Sequence, residues 1–144
     1  MKSLYFVLVV SIGLAARAEV TISGDVHPDD ASDWTASSDA LVGYTGAGSV
    51  TVTAGDDLEC NNGTIGFWTS SAGDVIIQGS GSSWSNQGSI EVGSYGDGTL
   101  SILEGGLVSS RGSTSASAAG RAIRNTIRTA QSRVREKLSF SSAA

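Results

Sequence analysis

Residues 40–64, ALVGYTGAGSVTVTAGDDLECNNGT, run without a gap into 65–89, IGFWTSSAGDVIIQGSGSSWSNQGS, and then into 90–102, IEVGSYGDGTLSI. Set in steps of 25, these lines fall into columns: Ala40, Ile65 and Ile90; Val50, Val75 and Leu100; Val52, Ile77 and Ile102. Ser38, Gly63 and Gly88 make a turn column beside them. A stronger step of 50 pairs Trp34 with Trp84, Val42 with Val92 and Leu58 with Val108. It also sets Gly43, Gly46, Gly48 and Gly55 against Gly93, Gly96, Gly98 and Gly105. Self-similarity at a fixed step of this length marks a stacked array, where each unit buries its apolar face only against its neighbours.

The residues inside the step are strand formers. Residues 50–53 (VTVT), 74–77 (DVII) and 99–102 (TLSI) mostly alternate small polar with β-branched or aliphatic side chains, and glycines close to each run punctuate it. No window there has helical spacing. The pattern predicts an all-β fold, a right-handed parallel β-helix of three to four coils, with equivalent residues stacked at about 4.8 Å along the axis. Coils are expected at 36–60, 61–85 and 86–110, with a partial coil before them. Columns of Val, Ile and Leu become the core, and the glycines become corners that need positive φ or close backbone approach.

Ahead of the array, residues 1–18 carry Lys2, an apolar run over 4–14, and Ala16-Arg17-Ala18 before Glu19. That order is a secretory signal peptide with a small-x-small cleavage site. It is too short for a membrane span, which needs about 20 apolar residues. Export to the periplasm, the outer surface or the extracellular space is therefore expected, with the domain at 19–110. Residues 20–22 read as a first strand. The loop at 24–33 holds the only proline, Pro28, and the only histidine, His27, beside Asp25, Asp29 and Asp30. A metal or acid/base cluster is one reading of it; a solvated insertion near the open coil end is the preferred one.

Charge divides the chain. Residues 19–110 contain 13 acids and no lysine or arginine, whereas 111–144 carries six arginines and Lys137 against Glu136 alone. An acidic body cannot neutralise phosphate, which argues against a nucleic-acid partner. Catalysis is not expected either. Asp39, Asp56, Asp57, Glu59, Asp74, Glu91, Asp97 and Glu104 form no paired ladder, no cationic clamp accompanies them, and no nucleophile elbow, metalloprotease helix or phosphate loop is present. No cofactor is implied. Asp97 lies in a glycine-aspartate run reminiscent of calcium repeats, but those return about every nine residues, and here Asp97 aligns with Ala72 and Ala47. The lone Cys60 shares a column with Ser85 and Ser110 and should turn inward as a small filler. Asn62-Gly63-Thr64 matches a glycosylation sequon and reads more simply as a turn.

Trp34, Trp68 and Trp84 raise a carbohydrate-stacking hypothesis, since an exposed indole can lie against a sugar ring. The competing reading packs Trp34 and Trp84 over coil corners, the commoner use of such side chains.

GSGSSWSNQGSIEVG at 79–93, continued by YGDGTLSI at 95–102 and EGGLV at 104–108, resembles the repeat associated with autotransporter passengers and PEP-CTERM proteins. Residues 33–52 resemble it more loosely. The resemblance implies an exported bacterial β-helix with a structural or adhesive role at the cell surface, and it implies no catalytic residues. A carbohydrate-binding module using exposed Trp residues is the alternative. Surface polysaccharide and self-association through open coil ends are the partners this picture suggests.

Beyond Ser110 the register fails, and a Ser/Ala/Gly linker leads to 121–138. There Ile123, Ile127, Ala130, Val134 and Leu138 share one helical face, with Arg121, Arg124, Arg128 and Arg135 beside it. The expectation for 111–144 is a linker with a basic amphipathic helix or a disordered tail. Such a helix could cap the coil end, dock on the acidic solenoid or lie on an anionic membrane. Alternatively, the tail is not a selected segment, for example the product of a frameshift in a longer gene.

Overall fold

Val50 and Val52 on one strand, Val75 and Ile77 on the next, and Leu100 on the third are all buried, while the residues between them are half-buried. That period of two is strand geometry, and its repetition at each coil makes one continuous core. A computed structural model describes residues 19–116. The signal peptide expected at 1–18 and the basic amphipathic helix expected at 121–138 lie outside the described residues.

Twelve strands follow in order: β1 (Glu19–Gly24), β2 (Val26–His27), β3 (Ala40–Val42), β4 (Ala47–Thr53), β5 (Asp57–Cys60), β6 (Gly63–Ile65), β7 (Ala72–Gln78), β8 (Ser83–Asn86), β9 (Ile90–Val92), β10 (Asp97–Leu103), β11 (Leu107–Ser110) and β12 (Thr114–Ala116). A single 3-10 turn, Ala31–Asp33, sits between β2 and β3. The strands form three sheets, ordered β1-β4-β7-β10, β11-β8-β5 and β12-β9-β6-β3-β2. Each coil places one strand in each sheet, so the chain is a β-solenoid of about three turns, as its repeat predicts.

The register corrects the columns. Only the first sheet keeps the uniform step, with Val50 on Val75 and Val75 on Leu100. In the third sheet Ala40 stacks on Gly63 and Val42 on Ile65, and Gly63 then stacks on Ile90 and Ile65 on Val92. Ile65 therefore belongs with Val42 and Val92, not with Ala40 and Ile90. Gly63 leaves the turn column for a strand; Asn61 takes its place, its N–H donating to Ser38 O and its carbonyl accepting from Gly88 N. The second sheet sets Cys60 on Asn86, not Ser85, and Asn86 on Ser110. Short and long coils alternate, so the step of 50 survives where the step of 25 is only an average.

Packing explains the offset at Gly63. A Cβ there would run into the ring of Trp84. The missing side chain is the space that the largest buried residue fills, with Leu58 below and Val108 above it in the β5-β8-β11 column. Large against small across facing positions is what lets such a core close without voids.

The N-terminal segment also departs from expectation. Residues 20–22 do form a strand, but β1 runs antiparallel to β4 and β2 antiparallel to β3. Val20 and Ile22 lie over Val52 and Val50, and Val26 is buried. Within the loop at 24–33, Val26 thus joins a folded cap on the first coil, while His27, Asp29, Asp30, Ser32 and Asp33 stay solvent-exposed.

Candidate functional site

The corners joining the third sheet to the first carry the most distinctive surface. Each opens with a glycine in the left-handed region, Gly43 (φ 70°), Gly66 (φ 72°) and Gly93 (φ 70°). A Cβ on Gly43 would meet the carbonyl of Ala72, and one on Gly66 that of Asp97. These turns hydrogen-bond from coil to coil: Gly66 N donates to Val42 O at 2.8 Å, Phe67 N to Gly43 O at 3.0 Å, Gly93 N to Ile65 O at 2.7 Å and Tyr95 N to Phe67 O at 3.2 Å. The residues after the glycines are consequently held in a row along the axis.

That row is aromatic. Tyr44 and Phe67 stack with centroids 5.4 Å apart and planes 29° apart. Phe67 meets Tyr95 edge-to-face at 6.3 Å and Trp68 edge-to-face at 5.3 Å. His27 abuts the other side of Tyr44 at 5.9 Å. Tyr44 and Phe67 are half-buried, whereas Trp68 is 49% and Tyr95 60% exposed. Offset and T-shaped pairs at these separations hold rings rigid, so the outer faces are presented at little conformational cost.

Beside this rail, the outer face of the first sheet forms a shallow open groove of about 730 Å³. Its floor includes Ser23, Ser49, Asp74 and Thr99, which lie side by side across β1, β4, β7 and β10. Hydroxyls and carboxylates in rows offer hydrogen-bond donors and acceptors at strand spacing.

The tryptophans expected to stack on sugars divide. Trp34 is 6% exposed and Trp84 1%, with their rings 6.3 Å apart and Trp34 Nε1 donating to Pro28 O at 2.9 Å. Both are core side chains with no free face. Only Trp68 is placed to meet a ligand. Trp84 Nε1 is buried without a hydrogen-bond partner, which belongs to its filling the hole over Gly63.

The N-terminal acids do not converge. Asp25 Oδ1 lies 3.0 Å from His27 Nε2, while Asp30 turns to Ser32, accepting from its N–H at 2.9 Å and its hydroxyl at 2.7 Å. Among the described residues no three of His, Cys, Asp and Glu are grouped to hold a metal ion. The other Asp25 oxygen accepts from Thr45 N (2.6 Å), Gly46 N (2.7 Å) and Thr45 Oγ1 (2.9 Å). Donation by the Thr45 and Gly46 amides and the Thr45 hydroxyl, with a smaller contribution from His27, lowers its pKa to about 2.

The remaining singled-out groups are structural. Cys60 is buried, its thiol donates to Asn86 Oδ1 at 2.8 Å, and burial raises its pKa to about 11, so it stays an unreactive thiol. Asn62 has both side-chain atoms occupied: Nδ2 donates to Asp39 at 2.9 Å and Oδ1 accepts from Ser89 N at 2.9 Å. Other carboxylates take side-chain donors from adjacent coils, as in Gln78 to Glu104 (2.9 Å) and Gln87 to Glu59 (2.6 Å).

No family model, curated protein or solved structure matches the chain.

Proposed function

We propose that this chain is an exported β-solenoid with an adhesive role at a cell surface, and that its ligand is an extended, uncharged polysaccharide lying along the rail. The reading rests on the row Tyr44, Phe67, Trp68 and Tyr95. Contiguous exposed aromatic surface on a stable scaffold marks an interaction site, and a polymer with apolar ring faces and hydroxyl rims suits stacked rings beside a groove whose floor carries Ser23, Ser49, Asp74 and Thr99. The ligand is uncharged because the body is acidic throughout, and a polyanion would be repelled. The carbohydrate reading thereby moves from Trp34 and Trp84 to Trp68 and its corner neighbours. The role is one of binding, with no chemistry assigned to any residue. Export rests on the pattern at 1–18, and the surface role on the resemblance of 33–110 to passenger repeats.

The test is titration of the protein with soluble neutral polysaccharides, read by tryptophan fluorescence and calorimetry, alongside Trp68→Ala and Tyr95→Ala. Saturable binding to a neutral glycan is expected, and each truncation should weaken it by about 1–2 kcal/mol, roughly 5- to 30-fold. Binding that survives both truncations unchanged, or no binding to any neutral glycan, would rule this reading out.

A further inference from the structure

The two ends of the solenoid are finished differently. At the first coil, β1 and β2 turn antiparallel, and Val20, Ile22 and Val26 cover the apolar columns. At the last coil the same columns open. Val52 and Ile77 are fully buried but Ile102, one coil further on, is only half-buried. Leu58 and Trp84 are buried but Val108 is not, and Leu107 is 47% exposed. Strands β10, β11 and β12 have no neighbour on that side among the described residues. An open apolar end with unpaired strand edges templates association unless something covers it.

We propose that residues 121–138 of the same chain cover this end, apolar face inward. Four arguments favour that occupant over a second copy. The segment is tethered: residues 117–120 join it to β12, and four residues reach at most about 14 Å, enough to fold back over the coil. Tethering also gives it a millimolar effective concentration that no free partner matches. Its length fits, since an 18-residue helix would be about 27 Å long and the seven residues of β10 span about 23 Å. Its charge fits as well. Residues 19–110 have 13 acids and no lysine or arginine, so two such bodies repel, whereas 121–138 brings five arginines and Lys137 against Glu136. Ile123, Ile127, Ala130, Val134 and Leu138 supply the apolar stripe, and the arginines beside it lie at the rim. The proposal does not depend on what the aromatic rail binds.

The experiment places a nitroxide on the full chain at Ser132→Cys, opposite the apolar stripe; Cys60 is buried and will not take the label. Amide signals are then recorded by NMR. Leu100, Ile102 and Val108 should lose most of their intensity, Val20 and Val26 should keep theirs, and dilution should change nothing. Adding Ile127→Asp with Val134→Asp to the labelled chain should restore the lost signals. Broadening that fades on dilution would assign the end to a second copy and overturn the proposal. Absence of broadening at the last coil, or broadening lost on adding anionic lipid vesicles to the labelled chain that lacks the two Asp substitutions, would overturn it too, the latter in favour of a membrane surface.

Discussion

Gly66 shows how one atom fixes the path of a coil. Its backbone is left-handed and a Cβ would strike the Asp97 carbonyl of the next coil. Gly66→Ala should therefore lose at least the ~1–2 kcal/mol of a left-handed alanine, more with the clash, seen as a lower denaturation midpoint with an unchanged m-value. A midpoint equal to wild type would mean that the corner relaxes freely. Asp25 works at the same scale by hydrogen bonding. Its folded pKa of about 2 lies below the ordinary 3.8, so the unfolded chain binds the proton more tightly and the contribution is full above 3.8. It is lost as pH falls toward 2, and the melting-temperature advantage of wild type over Asp25→Asn should close across that window. An advantage that stays constant down to pH 2 would remove Asp25 as the clasp of the cap. These residues were unequally legible in the sequence. Gly66 reads only as a glycine near a strand, since the uniform step sets it against Leu41 and Glu91 and not with Gly43 and Gly93. Asp25 stood among neighbouring acids, and nothing in a linear pattern says that it reaches Thr45 and Gly46.

At the scale of the element, the strands were readable and their partners only partly so. Alternation in 50–53, 74–77 and 99–102 fixes which residues point inward, because a strand has only two faces. It does not fix direction: residues 20–22 alternate equally well in a parallel or an antiparallel pair, and the antiparallel cap went unforeseen. Nor does it fix register where coils differ in length. The third sheet steps by 23, 27 and then 24 residues and the second by 26 and then 24, so 25 is only their average. This hid the rail. A uniform step sets Tyr44 against Thr69 and Ser94, whereas the true one sets it against Phe67. The cue was Gly-Tyr at 43–44, Gly-Phe at 66–67 and Gly-Ser-Tyr at 93–95, a glycine followed by an aromatic at each corner. Trp84 on β8 is the packing counterpart of the uneven step, filling the space over Gly63. Trp84→Ala should cost about 3–5 kcal/mol by chemical denaturation. A loss under 1 kcal/mol would mean that β8 collapses over Gly63 and that the ring is not what sets the offset.

The whole molecule is an array in which most contacts join adjacent coils, so a register error in one coil would pass to the next. Its acidic surface, with Asn, Gln, Ser and Thr donors satisfying carboxylates from coil to coil, is compatible with close stacking because amides and hydroxyls supply the hydrogen bonds without cations. The same uneven stacking brings Tyr44, Phe67 and Tyr95 into line, so architecture and proposed binding surface stand on one claim. Nuclear Overhauser contacts between aromatic rings in the full chain test it most directly. Tyr44 should contact Phe67, and Phe67 should contact Tyr95 and Trp68, with Val42 beside Ile65 in the core. Contacts that instead join Tyr44 to Thr69 and Ala40 to Ile65 would show a uniform 25-residue stack, without the rail.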